Sequence, residues 1–425
     1  MKLDQTNPRL TPWAEICRPF SATRKRHYVL AVAPVAAALL CLFALTACES
    51  PANRPLFSAS GPVWPAPPDS PRIRYLGELR GESTLGRQAR GTEAIRDLLA
   101  GPPPARDFGN PSAVAVSGER VYVTDTAFLK AAALHVIDLT TRRMTSVTQS
   151  GSAALQAPVD VVATQNRVVV ADSRRAALLV FDRDGEFQRE VTGVLSRPAA
   201  LAVDALTGSI WACDAAAHQI LAFDASAGLS ARLGTRGAAP GQFNYPAGIA
   251  VEHLPVRAAI IGERGRQADL VDQRAGSQPP LSYGRGSGEQ APDPRIVDIA
   301  RNARVADTEI AVADAMNFRV QLLDTLGASR LTIGKKGDAA GDFSMPRDVA
   351  FDSDGHLYVL DNQFENVQVF DSEGRLLLAW GEEGAGPGQF NLPSGITIDD
   401  RDRIWIADTH NRRVQVFQYL RREPT

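Results

Sequence analysis

The chain has 425 residues, 44% of them hydrophobic, and contains 34 glycines and 28 prolines. This length can bury a sizeable core, and the many turn-forming residues favour a globular protein built from short strands. The formal net charge is -2, and no dense run of lysine or arginine follows residue 30. Such a balance gives no long-range attraction for nucleic acid, so we expect no nucleic-acid partner.

The first predicted element is an export signal. Three basic residues at 24–26 precede the apolar run 28–45, "YVLAVAPVAAALLCLFAL", which is the order of charges and apolar residues typical of such signals. The run ends in "LTAC", which resembles a bacterial lipobox and implies that residues 1–47 are removed and that the thiol of Cys48 is lipidated. The alternative is an uncleaved signal anchor, because the run approaches membrane-spanning length. Both readings place residues 49–425 outside the cytoplasmic membrane.

Residues 48–70 are rich in proline and serine and show no periodicity, so they are predicted to form a tether. The lipobox resemblance also bears on which membrane holds the lipid. Glu49 stands where some bacterial lipoproteins carry the aspartate that retains them at the inner membrane. We therefore expect a lipid anchor on the outer membrane, facing the periplasm. Beyond the signal and Cys48 the only cysteine is Cys213, in the apolar run "SIWACD", which excludes an intramolecular disulfide and indicates a small core residue.

A repeated unit begins after residue 71. Each copy contains a short strand introduced by a proline, a second apolar strand ending in aspartate, a polar turn and a third apolar strand, as in "VVVADSRRAALLVFD" at 168–182 and "IWIADTHNRRVQVFQ" at 404–418. A fourth strand follows, for example "RLLLAW" at 375–380. The repeated aspartates are Asp125, Asp172, Asp214, Asp314, Asp361 and Asp408.

Four short antiparallel strands, repeated about every 40 to 48 residues, predict an all-β fold of the β-propeller type. The glycine-rich connectors, such as "GEEGAGPGQFNLP", supply the turns between units. The units resemble NHL repeats, and residues 71–420 are similar to the bacterial, exported six-bladed NHL propellers. This resemblance implies a six-bladed β-propeller over residues 71–425.

Two features bear on how the ring closes. The last unit lacks an outer strand, and the segment 71–79, "PRIRYLGEL", alternates as a strand should, so we expect it to complete the last blade. Residues 253–307 do not match the repeat. They form either an irregular insertion in blade four or a degenerate seventh blade.

Strand parity places the second-to-third turns and the blade connectors on one face of the ring. The repeated aspartates are predicted to accept hydrogen bonds from backbone N–H groups of these turns, a structural role, because six separate blades do not each need a catalytic acid. The variable turn residues form a candidate binding rim for a protein or glycan. This turn rim comprises Arg174, His218, Phe318, Phe364, His410 and Arg412.

An enzymatic alternative comes from the resemblance, since propellers related to NHL proteins include lyases and lactonases that use a metal in the central channel. Two residues after the strand-leading prolines, only Asp160 and Asp348 could bind a cation, and in a six-bladed ring they face each other across the channel. Calcium prefers six or more oxygens, so the pair is a weak metal site. We expect a non-enzymatic, membrane-tethered scaffold that binds a protein or glycan in the cell envelope and needs no cofactor, with a metal-assisted lyase or lactonase as the alternative.

Overall fold

The computed structural model of the protein describes residues 55–87, 89, 91–126, 131–253 and 308–421. The predicted signal, Cys48 and the start of the tether lie outside the described residues, as does the segment 254–307. Within the described ranges, no helix has the length and apolar character needed to cross a membrane.

The ring is preceded by a short strand pair and two helices. These are β1 (Val63–Trp64), β2 (Ile73–Leu79), α1 (Glu82–Leu85) and α2 (Thr92–Ala100). Residues 55–70, which composition assigns to the tether, lie against the propeller: β1 pairs with β2, and the ring of Phe57 packs edge-on against Trp405 at 5.5 Å.

Blades one to five are antiparallel four-stranded sheets, and the sheet of blade six has five strands because it includes β1 and β2. The first three blades contain β3 (Pro111–Ser117), β4 (Arg120–Asp125), β5 (Ala133–Asp138) and β6 (Arg143–Val147), then β9 (Pro158–Ala163), β10 (Arg167–Asp172), β11 (Ala177–Asp182) and β12 (Phe187–Val191), then β13 (Pro198–Val203), β14 (Ile210–Asp214), β15 (Gln219–Phe223) and β16 (Leu229–Leu233). A small hairpin, β7 (Gln149–Ser150) and β8 (Ala153–Ala154), joins the first blade to the second.

The second half of the ring repeats this order. Blades four and five contain β17 (Pro246–His253), β18 (Thr308–Asp314), β19 (Arg319–Leu323) and β20 (Ser329–Ile333), then β21 (Pro346–Phe351), β22 (Leu357–Asp361), β23 (Asn366–Phe370) and β24 (Leu376–Trp380), with a 3-10 turn at Ala315–Asn317. The pair β25 (Glu382–Glu383) and β26 (Gln389–Phe390) precedes the last blade, β27 (Gly395–Ile398), β28 (Arg403–Asp408) and β29 (Arg413–Tyr419).

The ring closes through strands from both ends of the repeat region. Strand β2 pairs antiparallel with β29, from Ile73 opposite Tyr419 to Leu79 opposite Val414, and supplies the missing fourth strand of blade six. Strand β17 pairs directly with β18, so the residues that flank 254–307 belong to one blade. The predicted six-bladed ring closed by residues 71–79 is therefore confirmed, and the seven-bladed alternative is wrong.

The core lies between blades. In one cluster, residues of blade three such as Trp211 and Cys213 pack with Ile249 and Val312 of blade four. Cys213 is fully buried, and this burial raises the pKa of its thiol well above the usual value, so the side chain behaves as a small apolar residue.

The prolines that begin the inner strands stand beside the repeated aspartates. Pro158 is opposite Asp172, for example, where β9 and β10 meet. The end of the blades that holds these prolines, the second-to-third turns and the connectors is called the connector face below, and the opposite end is called the far face.

Candidate binding site at the channel mouth

The repeated aspartates hold the connector face together. All six carboxylates belong to residues that are at most 2% exposed. Asp172 accepts N–H hydrogen bonds from Gln156 and Ala157 in the connector, at 2.8 and 3.0 Å, and a longer one from Arg175 in the turn, at 3.2 Å. The sequence predicted that N–H groups of the turn donate to the aspartates. The structure adds N–H groups of the connector, whose hydrogen bonds to Asp172 are shorter than that of the turn. Each carboxylate ties a connector to its blade.

Arg413 extends this network in blade six. Its guanidinium is 2% exposed and donates to Asp408 at 2.8 Å, to Glu78 in β2 at 2.8 Å, and to the carbonyl oxygen of Gly386 at 2.9 Å. Arg319 binds Asp314 and the preceding connector in the same way in blade four. The guanidinium of Arg413 therefore links the connector, the blade and the closing strand β2.

The residues of the turn rim differ in accessibility. Arg174, His410 and Arg412 are exposed, whereas Phe318 and Phe364 are half-buried. His218 is 7% exposed, and its Nδ1 accepts the backbone N–H of Tyr245 at 3.1 Å. None of the six residues lines the cavity described next.

A cavity of about 640 Å³ opens on the connector face, lined by residues of blades two to five. Its wall contains three large apolar residues that stay accessible, Tyr245 (39% exposed), Met316 (47%) and Met345 (39%). Arg197 and Arg347 complete the wall, and the guanidinium of Arg197 lies over the ring of Tyr245 at 5.5 Å from its centre. These five residues are called the mouth cluster.

Local sequence explains how the mouth cluster forms. Arg197, Tyr245 and Met345 each occupy the position directly before the leading proline of an inner strand, and Arg347 directly follows one. Because the proline fixes the chain where it enters the ring, the preceding side chain points into the space between connectors. The repeats contained this signal: the position before the proline varies from blade to blade. Sequence reasoning singled out the turns and missed it.

Below the mouth, the inner strands surround a cavity of about 330 Å³ along the ring axis, and Asp160 and Asp348 both line it. Asp160 accepts N–H bonds from Val161 at 2.7 Å and from Leu201 of the next blade at 2.5 Å. Asp348 accepts them from Val349 and, in the next blade, from Ile396, both at 2.9 Å. The two carboxylates thus link neighbouring inner strands.

The surroundings of this pair disfavour two negative charges. Burial raises the pKa of Asp160 to about 7, against the effect of its two backbone hydrogen bonds. Burial, and then the charge of Asp160, raise the pKa of Asp348 well above its usual range. The guanidinium of Arg347 lowers the pKa of both carboxyls and so connects the pair electrostatically to the mouth cluster.

The carboxylate pair does not fit a calcium site. A hard cation takes six to eight oxygens, whereas each carboxylate here already accepts two backbone hydrogen bonds. Throughout the described part of the chain, no group of three or more His, Cys, Asp or Glu side chains is placed to hold a metal.

Comparisons with known proteins agree with the repeat. The NHL repeat family matches residues 343–370 and 390–417, in blades five and six. No curated protein matches the chain.

Several solved structures are similar at low identity. A streptogramin B lyase has 12% identity over 74% of this chain and 94% of its own, with a TM-score of 0.46. A protein of unknown function from Bacteroides thetaiotaomicron has 14% identity over 73% of this chain and 70% of its own, with a TM-score of 0.48. An auxiliary nutrient binding protein from the same organism has 13% identity over 73% of this chain and 69% of its own, with a TM-score of 0.47. Similarities this weak transfer neither an activity nor a ligand to this chain.

Proposed function

We propose that this NHL-repeat propeller is a non-enzymatic scaffold that binds a protein partner at the mouth cluster. The observation that carries the proposal is the grouping of three accessible large apolar side chains and two arginines around one concave site. The supporting blades are hydrogen-bonded sheets that hold the site in place before a partner arrives, so binding does not have to order it.

The composition of the mouth cluster favours a protein over a glycan. Tyrosine, methionine and arginine are the residue types enriched in protein interfaces, where a few central side chains carry most of the binding energy. A glycan would need an open aromatic face on which to stack, and Arg197 lies over the ring of Tyr245. We therefore expect a partner segment with an apolar side chain beside a carboxylate, which the arginines can bind.

The proposed setting is the cell envelope. Export and a lipid on Cys48 follow from the basic segment, the apolar run and the lipobox-like "LTAC". The scaffold would then face the periplasm, tethered to the outer membrane. The lyase or lactonase alternative gains no support from the channel, because its two carboxylates do not fit the metal that such chemistry would use.

Photocrosslinking in cells tests the binding site. We expect p-benzoylphenylalanine in place of Met316 to give an adduct with a protein partner, and the further change Tyr245→Ala to reduce its yield about tenfold or more, as for a central interface residue. The same amino acid in place of Leu326, which is 84% exposed in the β19–β20 loop and does not line the mouth cavity, is the matched control.

A crosslinked product from position 326 with the same molecular mass as that from position 316 would contradict the assignment of the site. An adduct at position 316 that contains only glycan would contradict the protein partner while keeping the site.

A further inference from the structure

Helix α2 presents an apolar face that nothing in the described part of the protein covers. Its side chains Ile95, Leu98 and Leu99 are 60%, 85% and 81% exposed, and the helix has no buried residue. Residues three and four positions apart share one face of a helix, so the three side chains form a continuous apolar stripe. A nine-residue helix is marginal in water without such packing, which indicates that a partner surface covers the stripe.

The position of α2 in the fold places it beside the point where the chain enters the ring. Strand β2 ends at Leu79 opposite Val414, on the connector face, and α1 follows three residues later. Leu85 of α1 belongs to the same core cluster that Leu56 and Phe57 pack against. Seven residues separate Leu85 from the start of α2 at Thr92, so the helix lies within about 25 Å of this cluster.

The length of the preceding chain limits how far this region can be from a bilayer. The apolar run ends at residue 45, ten residues before Pro55, the first described residue. Ten residues span at most about 35 Å when fully extended. Whether the membrane holds a lipid on Cys48 or an uncleaved anchor, Pro55 lies within about 35 Å of the bilayer, next to the cluster from which the chain leads to α2.

The charges next to the stripe are largely paired with one another. Arg87 binds Glu93, Arg96 binds Asp97 and Arg106 binds Glu82. An apolar stripe flanked by such pairs suits a bilayer interface that it enters by burying apolar area. The stripe itself lacks charge, as a surface in contact with acyl chains requires.

We infer that the Ile95, Leu98 and Leu99 face of α2 lies in the lipid interface, as a second membrane contact beside the N-terminal anchor. This inference rests on the proposed tether. It adds an orientation: the edge of the propeller formed by blades six and one faces the bilayer. Interfacial helices of this kind bury their apolar face about 5 to 10 Å into the boundary between headgroups and acyl chains.

Fluorescence quenching in vesicles tests the contact. The full-length protein, with an environment-sensitive fluorescent amino acid in place of Leu98, is reconstituted into vesicles that contain phosphatidylglycerol and lipids brominated near the headgroup. At the depth expected for an interfacial helix, roughly half of the emission should be lost relative to vesicles without bromine. The same probe in place of Leu326, equally exposed in blade four, should lose almost none.

Protein that floats with the vesicles but shows no quenching at position 98 would overturn the helix contact and leave the tether intact. Protein that does not float would overturn the tether and the contact together. Equal quenching at positions 98 and 326 would overturn the orientation, since it would show a contact that does not distinguish the edge at blades six and one from blade four.

Discussion

At the scale of single residues, the channel carboxylates Asp160 and Asp348 make the stability of the fold depend on pH. The pKa of Asp160 in the folded protein, about 7, lies above the usual value near 4. Between these values the native state therefore holds more protons than the unfolded state, so the free energy of unfolding falls as pH rises through this window. Asp348 acts in the same direction, because its pKa is raised by burial and by the charge of Asp160.

We expect Asp160→Asn to flatten this pH dependence. The change removes one titrating group and the charge that raises the pKa of Asp348. The drop in Tm between pH 5 and pH 8 should be smaller than in the wild type by about 3 °C, as follows from a difference of about 2 to 3 kcal/mol.

Thermal unfolding at the two pH values measures this difference, and Asp348→Asn should behave alike. Glu252, whose pKa is raised to about 8 by burial and by the charges of Glu309 and Asp352, leaves a residual slope in every variant. A drop as large in Asp160→Asn as in the wild type would contradict the coupling.

At the scale of elements, the strands were predictable and their contacts were predictable in part. Alternating apolar residues, leading prolines and repeated aspartates recur in every unit, because each blade must bury its two faces against its neighbours. Even the closing strand could be predicted, since a blade with three strands leaves an unpaired edge.

The two arginines at 412 and 413 show where prediction from sequence stopped. Arg412 has a positive φ of 54° and ends the turn, so Arg413 begins β29 and points inward. Two neighbouring arginines thus lie in different environments, Arg412 exposed and Arg413 buried. Only the register of the turn decides which of the two is buried. For a related reason, only Met316 of the mouth cluster stood out in the sequence, as a turn residue. The other residues come from separate connectors and from the start of β21, and the five meet only when the ring closes.

The clamp in blade six gives a matched pair of variants. Arg413→Ala should destabilise the protein by about 3 to 5 kcal/mol, because it leaves the buried carboxylate of Asp408 without its cation and breaks the link to Glu78. Arg412→Ala, at an exposed position one residue earlier, should change stability by no more than about 0.5 kcal/mol.

Chemical denaturation of both variants measures the difference. Similar stabilities for the two variants would show that the hydrogen bonds and ion pairs of Arg413 contribute little to the free energy of unfolding.

At the scale of the whole molecule, opposite edges of the ring carry different features. The connector face carries the mouth cluster and the helix α2, and the chain reaches the ring beside blades six and one. The proposed tether, attached there, would keep the propeller close to a membrane and leave blades two to five, across the ring, open to the proposed partner. This arrangement depends on how the N-terminal segment is held.

The state of Cys48 decides that question. If its thiol carries the lipid, Cys48→Ala should abolish incorporation of radiolabelled palmitate and either release the protein from the membrane fraction or leave a larger, unprocessed precursor. Cys41→Ala, inside the apolar run, is the matched control and should change neither labelling nor size. Unchanged size and membrane retention of Cys48→Ala would instead indicate an uncleaved anchor. The bilayer would then hold residues 28–45 themselves, and the chain between the bilayer and Pro55 would be ten residues long rather than seven.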